Sequence, residues 1–495
     1  MTNTKKRTLI VSVLLLFHLP IFFINNTWDG TILSYGFDIK NISGVENWYE
    51  ESSSNFQLII IKILFNVNKL LKIPPEILFD LFTILTILIF SLELRKFGMR
   101  IFNLKGDIAN LLLYFAIVFP TWHSLTELNL TLYLFCFYLA FVGYRLFVTN
   151  NNIFYRILGI IVIFFSFSIK SNFSFIFGLI SLESAISYLR VKKVNLNNLT
   201  LIYLISVSGY LINSYIFPPY GLYEGYNQVK FDNFDFQKLF KNIFDFLSFF
   251  IFYLIPSIIL ISYFLIKKKL TITFKSEINI YTIFILSFFF ITIVPYLIVQ
   301  RSSDVFYFSA FESRHAYLLS TSVIFCLVLF IDFVKQALKK KYYLILIFIG
   351  LIQSISLMSI SYFIKINDTL IEKNLIKQFK QAQEPKSGHL ILFSDHFYRN
   401  SYSLNYLLYK SFDKAAWRSR IISKENISND ILIEDIFEQE FLKKKIYSIK
   451  YIFRDFEDNC LSIYKLENEI SKKKPIFYRF RQNENFKLKK LKEKC

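Results

Sequence analysis

The sequence predicts an α-helical polytopic membrane protein of about eleven transmembrane helices, followed by a small C-terminal extracytoplasmic α/β domain. Three observations lead there. Of the 495 residues, 54% are hydrophobic, with 59 Phe and 31 Tyr, which is not the composition of an ordinary soluble chain. Apolar runs of roughly 18 to 23 residues, each able to cross ~30 Å of hydrocarbon, recur along the first 365 residues. The charges between those runs segregate by side under one orientation, as the positive-inside rule requires.

The runs fall at 8–25, 74–92, 108–122, 125–147, 153–169, 172–189, 199–217, 243–266, 279–299, 316–334 and 342–364. With a cytoplasmic N-terminus, the inner segments hold Lys5, Lys6 and Arg7; Arg95, Lys96, Arg100 and Lys105; Arg145 and Arg156; Arg190, Lys192 and Lys193; Lys267 to Lys269; and Lys339 to Lys341. The outer segments hold a first loop (26–73), Glu127, a 218–242 loop of mixed charge, and Arg301 to Arg314. An odd number of crossings then puts residues 366–495 outside. No small-residue cleavage site follows the first run, so it reads as an uncleaved span.

Within the first loop, Lys62, Asn66, Lys69 and Lys72 recur at near-helical spacing among apolar residues of 56–72. That pattern predicts an amphipathic helix on the outer interface, ended by Pro74 and Pro75. In the tail, a polar helix is expected from Thr369 to Gln383, a strand from His389 to Phe393, and helices at 401–409 and 431–443. Strands are expected at 446–453, 461–466 and 475–480.

Composition also excludes some functions. The net charge of +20 does not point to nucleic acid, because the basic residues lie in short loops and the tail, where orientation and lipid headgroups account for them. Cys136 and Cys326 fall inside apolar runs, Cys460 and Cys495 fall in the tail, and no Cys/His cluster has zinc spacing. No cofactor is called for; a divalent metal is compatible with so many carboxylates, but none has ligand spacing.

The residues able to carry chemistry gather on the outer segments. The first loop offers Asp29, Asp38, Glu46, Glu50 and Glu51 beside Trp28 and Trp48. The 300–315 segment offers Arg301, Asp304, Glu312, Arg314 and His315, and Lys170 stands at the outer end of its run. Carboxylates on one segment and guanidinium groups on another suit a phosphate-bearing substrate and a hydroxyl to be deprotonated. A carboxylate partly withdrawn from water can serve as a general base, and arginine forks can hold a leaving phosphate.

A span, an outer loop opening on Thr27-Trp28-Asp29-Gly30, an interfacial helix, about ten further spans and an outer α/β tail together resemble the GT-C glycosyltransferases that use polyprenyl-phosphate sugars. Phe311-Glu312-Ser313-Arg314-His315 resembles the Glu-x-Arg-Tyr-x-x-x-Pro pattern of many bacterial members, with His315 in place of Tyr and no following Pro. The resemblance implies a bacterial inner-membrane enzyme with Asp29 as the catalytic base. It also implies donor and acceptor binding by Asp38, Glu46, Lys170, Arg301, Glu312, Arg314 and His315. Its partners would be a polyprenyl-phosphate sugar donor, a glycan, lipid or protein acceptor, and the bilayer itself. The rivals are an O-antigen polymerase or ligase and a flippase. A flippase should carry its charges at mid-membrane, whereas these sit mostly in loops.

Overall fold

The computed structural model describes the chain except residues 1–2, 27–28, 150–151, 192–195, 222–234, 267–275, 300–316, 338–339, 382–388, 394–400, 413–417, 423–460, 469–485 and 495, and describes Asp29 by its backbone alone. The chain is a helical membrane protein. Six helical stretches among the described residues are long and apolar enough to cross a bilayer: Thr4–Phe23, Pro75–Phe102, Leu128–Thr149, Phe236–Pro256, Tyr317–Lys335 and Tyr343–Gln381. Shorter apolar helices cover Gly106–Ile117, Ile153–Ser166, Thr200–Leu211 and Ile283–Ile298.

The chain opens with α1 (Asn3–Leu16) and a 3-10 turn (Leu19–Phe23), and the first loop folds into α2 (Asp29–Asp38), α3 (Ser43–Glu51) and α4 (Asn55–Leu71). The amphipathic helix expected over 56–72 is α4, and it stops where Lys72 turns left-handed at φ 54°, just before Pro74. Pro75 then opens α5 (Pro75–Phe102), since proline at a first helical position forfeits no intrahelical bond. These segments have a core of their own, in which Leu33, Phe37, Val45, Ile61 and Phe65 pack on Phe79 of α5 and on Leu128 and Leu132. The first loop is thus a packed platform on the ends of two membrane helices.

The remaining helices are α6 (Gly106–Ile117), α7 (Leu128–Thr149), α8 (Ile153–Ser166), α9 (Ser171–Val191), α10 (Leu196–Leu211), α11 (Phe236–Ile266), α12 (Ser276–Ile298), α13 (Tyr317–Ala337) and α14 (Lys340–Gln381). Their core runs through Phe97, Phe115, Phe141, Phe288 and Phe325, whose rings meet mostly edge to face. Helices α7 and α8 approach backbone to backbone. A Cβ on Gly143 would stand 2.8 Å from the Gly159 carbonyl, and one on Gly159 would stand 2.7 Å from the Phe147 amide. Small residues at such a crossing let membrane helices pack without a hydrophobic driving force.

Two elements run longer than the hydropathy pattern predicts. Helix α5 continues to Phe102, so Arg95, Lys96 and Arg100 sit on a helix end rather than in a loop. They persist as helix because they have partners: Arg95 donates to Asn110 at 2.8 Å, and Arg100 meets Glu183 at 2.5 Å. Helix α14 absorbs the separate polar helix expected from Thr369, because no Gly or Pro interrupts the chain between Leu351 and Gln381. Its 42 residues span about 63 Å, twice the hydrocarbon thickness, and Tyr362, Lys365, Thr369 and Glu372 of its second half are still buried.

Beyond α14 lie β1 (His389–Phe393), α15 (Ser401–Phe412), β2 (Arg418–Ile422), β3 (Leu461–Asn468) and β4 (Phe486–Lys494), forming a sheet of order β2-β1-β3-β4. Strands β1 and β2 are parallel with α15 as the crossover, β1 and β3 are parallel, and β3 and β4 are antiparallel. The strand at 389–393 and the helix starting at Ser401 lie where the sequence puts them. β2 and β4 were not expected: RSRII and FKLKKLKEK are short or basic, with little apolar alternation. The elements expected at 431–443, 446–453 and 475–480 lie outside the described residues, as do Cys460 and Cys495.

Candidate functional site

Helix α14 carries a polar stripe where it leaves the bundle. Tyr362, Lys365, Thr369 and Glu372 recur at intervals of three and four, so they share one face, and all four are buried. That face lies against the chain entering the first loop. The Asn25 amide N–H donates to Thr369 Oγ1 at 2.9 Å, and Asn25 Nδ2 donates to Glu372 Oε2 at 3.0 Å. One turn earlier the Tyr362 hydroxyl meets His18 Nδ1 at 2.7 Å. A carbonyl only accepts, so His18 Nε2 carries a proton and donates it to Ile117 O at 2.7 Å. Asp80 of α5 is buried within electrostatic reach of Tyr362.

Lys365 reaches a second element. Its Nζ donates to Thr126 Oγ1 at 2.6 Å, in the turn just before α7. The next residue, Glu127, is buried and supplies the carbonyl that receives the first amides of α7, from Leu130 and Thr131, both at 3.0 Å. Its side chain turns toward the first loop. A Cβ on Gly30 would overlap Glu127 Oε2, so a larger residue there would have to push that carboxylate aside. Asp29 immediately precedes that contact and opens α2, while Asn26 Nδ2 donates to Ser34 Oγ at 2.8 Å and ties the entering chain to the same helix. Buried carboxylates, a lysine and the first turn of α2 therefore meet at one end of the bundle.

Comparison with known protein families, characterised proteins and solved structures yields no match.

The other expected site residues divide. Ten residues of helix put Asp38 about 14 Å along α2 from Asp29, so the two do not share a pocket. Asp38 instead accepts from the Tyr406 hydroxyl at 3.0 Å and pairs with Lys410 Nζ at 2.5 Å, both on α15. The same hydroxyl reaches Glu76 Oε1 at 2.8 Å, and burial, reinforced by these carboxylates, raises the Tyr406 pKa well above its ordinary value. Glu46 pairs with Lys62 at 3.1 Å on the surface of α3 and α4. Lys170, in the turn between α8 and α9, is half-buried, and burial lowers its pKa. Arg301, Glu312, Arg314 and His315 lie outside the described residues.

Two of the segments between apolar runs do come together. Ser53 Oγ donates to the Phe217 carbonyl at 2.5 Å, and the Tyr220 amide donates to the Glu51 carbonyl at 3.0 Å, joining the first loop to the start of the 218–242 loop. Glu127, Lys365, Glu372 and Tyr406 were missed as site residues. The period of α14 was the available signal for two of them, since Lys365 and Glu372 fall in phase with Tyr362 once the helix is carried past the membrane. No group of three or more potential metal ligands occurs among the described residues.

Proposed function

We propose that this chain is an inverting membrane glycosyltransferase that moves a sugar from a polyprenyl-phosphate donor to an envelope glycan, lipid or protein acceptor on the outer face of the cytoplasmic membrane. In this reading the chain crosses the bilayer about eleven times, its N-terminus is cytoplasmic, and its C-terminal sheet lies outside as an acceptor-selecting α/β domain. The observation that carries it is the seating of the first turn of α2 against Glu127, beside Lys365 on Thr126, at the end of α5 and α7 opposite the basic one.

The chemistry is a displacement at the anomeric carbon. Asp29 takes the proton of the acceptor hydroxyl as its oxygen bonds to that carbon, and the bond to the lipid phosphate breaks. The departing phosphate keeps the electron pair, and its charge is balanced by Arg314 with Arg301 or Lys170. Glu127 positions the first turn of α2 rather than touching the sugar. Lipid contacts hold the donor so that its reacting centre faces Asp29.

A deletion strain complemented with equal amounts of each variant tests this. Asp29→Asn should lower envelope glycan output by about 10²- to 10⁴-fold, the usual worth of a general base. Glu127→Gln should lower it less. Full output from Asp29→Asn removes the residue assignment, and unchanged glycans in the deletion strain remove the function.

A further inference from the structure

Between the end of α14, α15 and the C-terminal end of α2 lies a cavity of about 440 Å³, lined by Asp38, Lys380, Tyr409, Lys410 and Ser411. Its size falls within the roughly 300–1,000 Å³ of small-molecule sites. We infer that this cavity binds a sugar unit bearing an anionic group, a phosphate or a carboxylate, on the acceptor.

The lining argues for that chemistry. Two ammonium groups and one carboxylate line it, with the Glu76 carboxylate behind Lys410. Lys410 is already held by Asp38 at 2.5 Å and, more loosely, by Glu76 at 4.0 Å, which fixes its position against the Tyr406 ring. Lys380 is exposed at the same wall, and among the described residues no carboxylate pairs with it. The two lysines thus divide the work, one anchored and one receptive. Asp38 and the Ser411 hydroxyl offer acceptors for ring hydroxyls. The wall between them is a tyrosine packed against two other rings. Tyr409 is held edge-on by the buried Tyr35 at 5.0 Å and 88°, and lies nearly parallel to Tyr406 at 6.3 Å and 23°. A fixed amphipathic ring beside hydrogen-bonding groups suits a sugar better than a bare anion.

Its placement fits an acceptor rather than a donor. Asp38 and Asp29 close opposite ends of α2, about 14 Å apart. A charged unit held in the cavity would present a hydroxyl a few sugar units away to the first turn of α2. That role rests on the transferase reading, but the binding itself does not.

Full-length protein in phosphatidylcholine nanodiscs would be titrated calorimetrically with glucose 1-phosphate, glucuronate, glucose and inorganic phosphate. Both anionic sugars should bind at least about tenfold more tightly than glucose, the scale of one charge-assisted hydrogen bond. Lys380→Gln should remove that advantage without changing glucose binding. Glucuronate against glucose 1-phosphate tells a carboxylate-bearing unit from a phosphate-bearing one. Equal affinity for all three sugars, an inert Lys380→Gln, or inorganic phosphate binding as tightly as glucose 1-phosphate would each overturn the inference. The titration repeated in Asp29→Asn protein should be unchanged. If the deletion strain kept unchanged glycans while the titration held, the transferase reading would fall and the binding site would stand.

Discussion

Helix α5 buries two carboxylates, one toward each end, and the protein treats them differently. Glu93, 2% exposed, is met by the Arg145 guanidinium and by Lys96 Nζ at 3.6 Å. Nearby, Arg100 of the same helix pairs with Glu183 of α9 and lies over the Tyr144 ring. Asp80, 5% exposed, has Glu76 and the Tyr362 hydroxyl as its electrostatic neighbours and no cation paired with it among the described residues. One end fastens three helices together with matched charges. The other keeps an acidic group beside the chain that leads to Asp29. Acidic groups matched by cations inside a low-dielectric bundle are architecture; an acidic group left without one there costs stability.

The sharpest way to break this contrast is at the fastened end. Arg145→Met leaves Glu93 only the more distant Lys96 and should lower stability by up to about 3–5 kcal/mol, read from unfolding in detergent. Adding Glu93→Gln should recover most of the loss. A double variant as unstable as the single one would mean that packing, not charge, holds that end.

A smaller effect is expected where α15 meets the first loop. Tyr406→Phe removes hydrogen bonds to two carboxylates, Asp38 and Glu76, and should cost about 1.5–3 kcal/mol. This contact has a pH signature. Burial first, then Glu76 and Asp38, raise the phenol pKa in the folded chain above its ordinary 10.0. The folded chain then keeps the proton after the unfolded chain has lost it. The contribution is therefore fully present below about pH 10 and is lost as pH rises through the folded value. Unfolding midpoints should fall above about pH 10 in the parent protein, and less steeply in Tyr406→Phe.

Asp80→Asn sharpens the comparison from the other side. With no paired cation to strand among the described residues, it should change stability by less than about 1 kcal/mol while lowering glycan output. A loss as large as that of Arg145→Met would show the two ends to be alike. The smallest effect belongs to the exposed Glu46–Lys62 pair, where Lys62→Gln should stay within about 0.5 kcal/mol.

Much of the helical architecture is legible in the sequence because membrane helices are written in long apolar runs. The amphipathic helix at 55–71 was legible for a related reason: its polar residues keep helical spacing and two prolines end it. The site was less so. Asp29 and the crowding of acidic groups after the first span stand out in a linear reading. Glu127 does not, because its importance comes from Gly30, 97 residues away, having no side chain. Lys365 and Glu372 were hidden by assuming that α14 ends where hydrophobicity does. A helix ends where something stops it, and nothing does before Gln381. Asp38 shows the opposite failure. Proximity in sequence put it with Asp29, while the rigid rise of α2 carries it to α15.

The account turns on which side of the membrane the end holding Glu127, Lys365 and the first loop faces. In a variant with its native cysteines replaced, single cysteines at Ser43, exposed at the start of α3, and at Lys105, exposed between α5 and α6, sit beyond opposite ends of α5. A membrane-impermeant maleimide added to intact cells should label Ser43→Cys and leave Lys105→Cys unlabelled until the cells are opened. Labelling of Lys105→Cys and protection of Ser43→Cys would put the carboxylates in the cytoplasm and contradict the account.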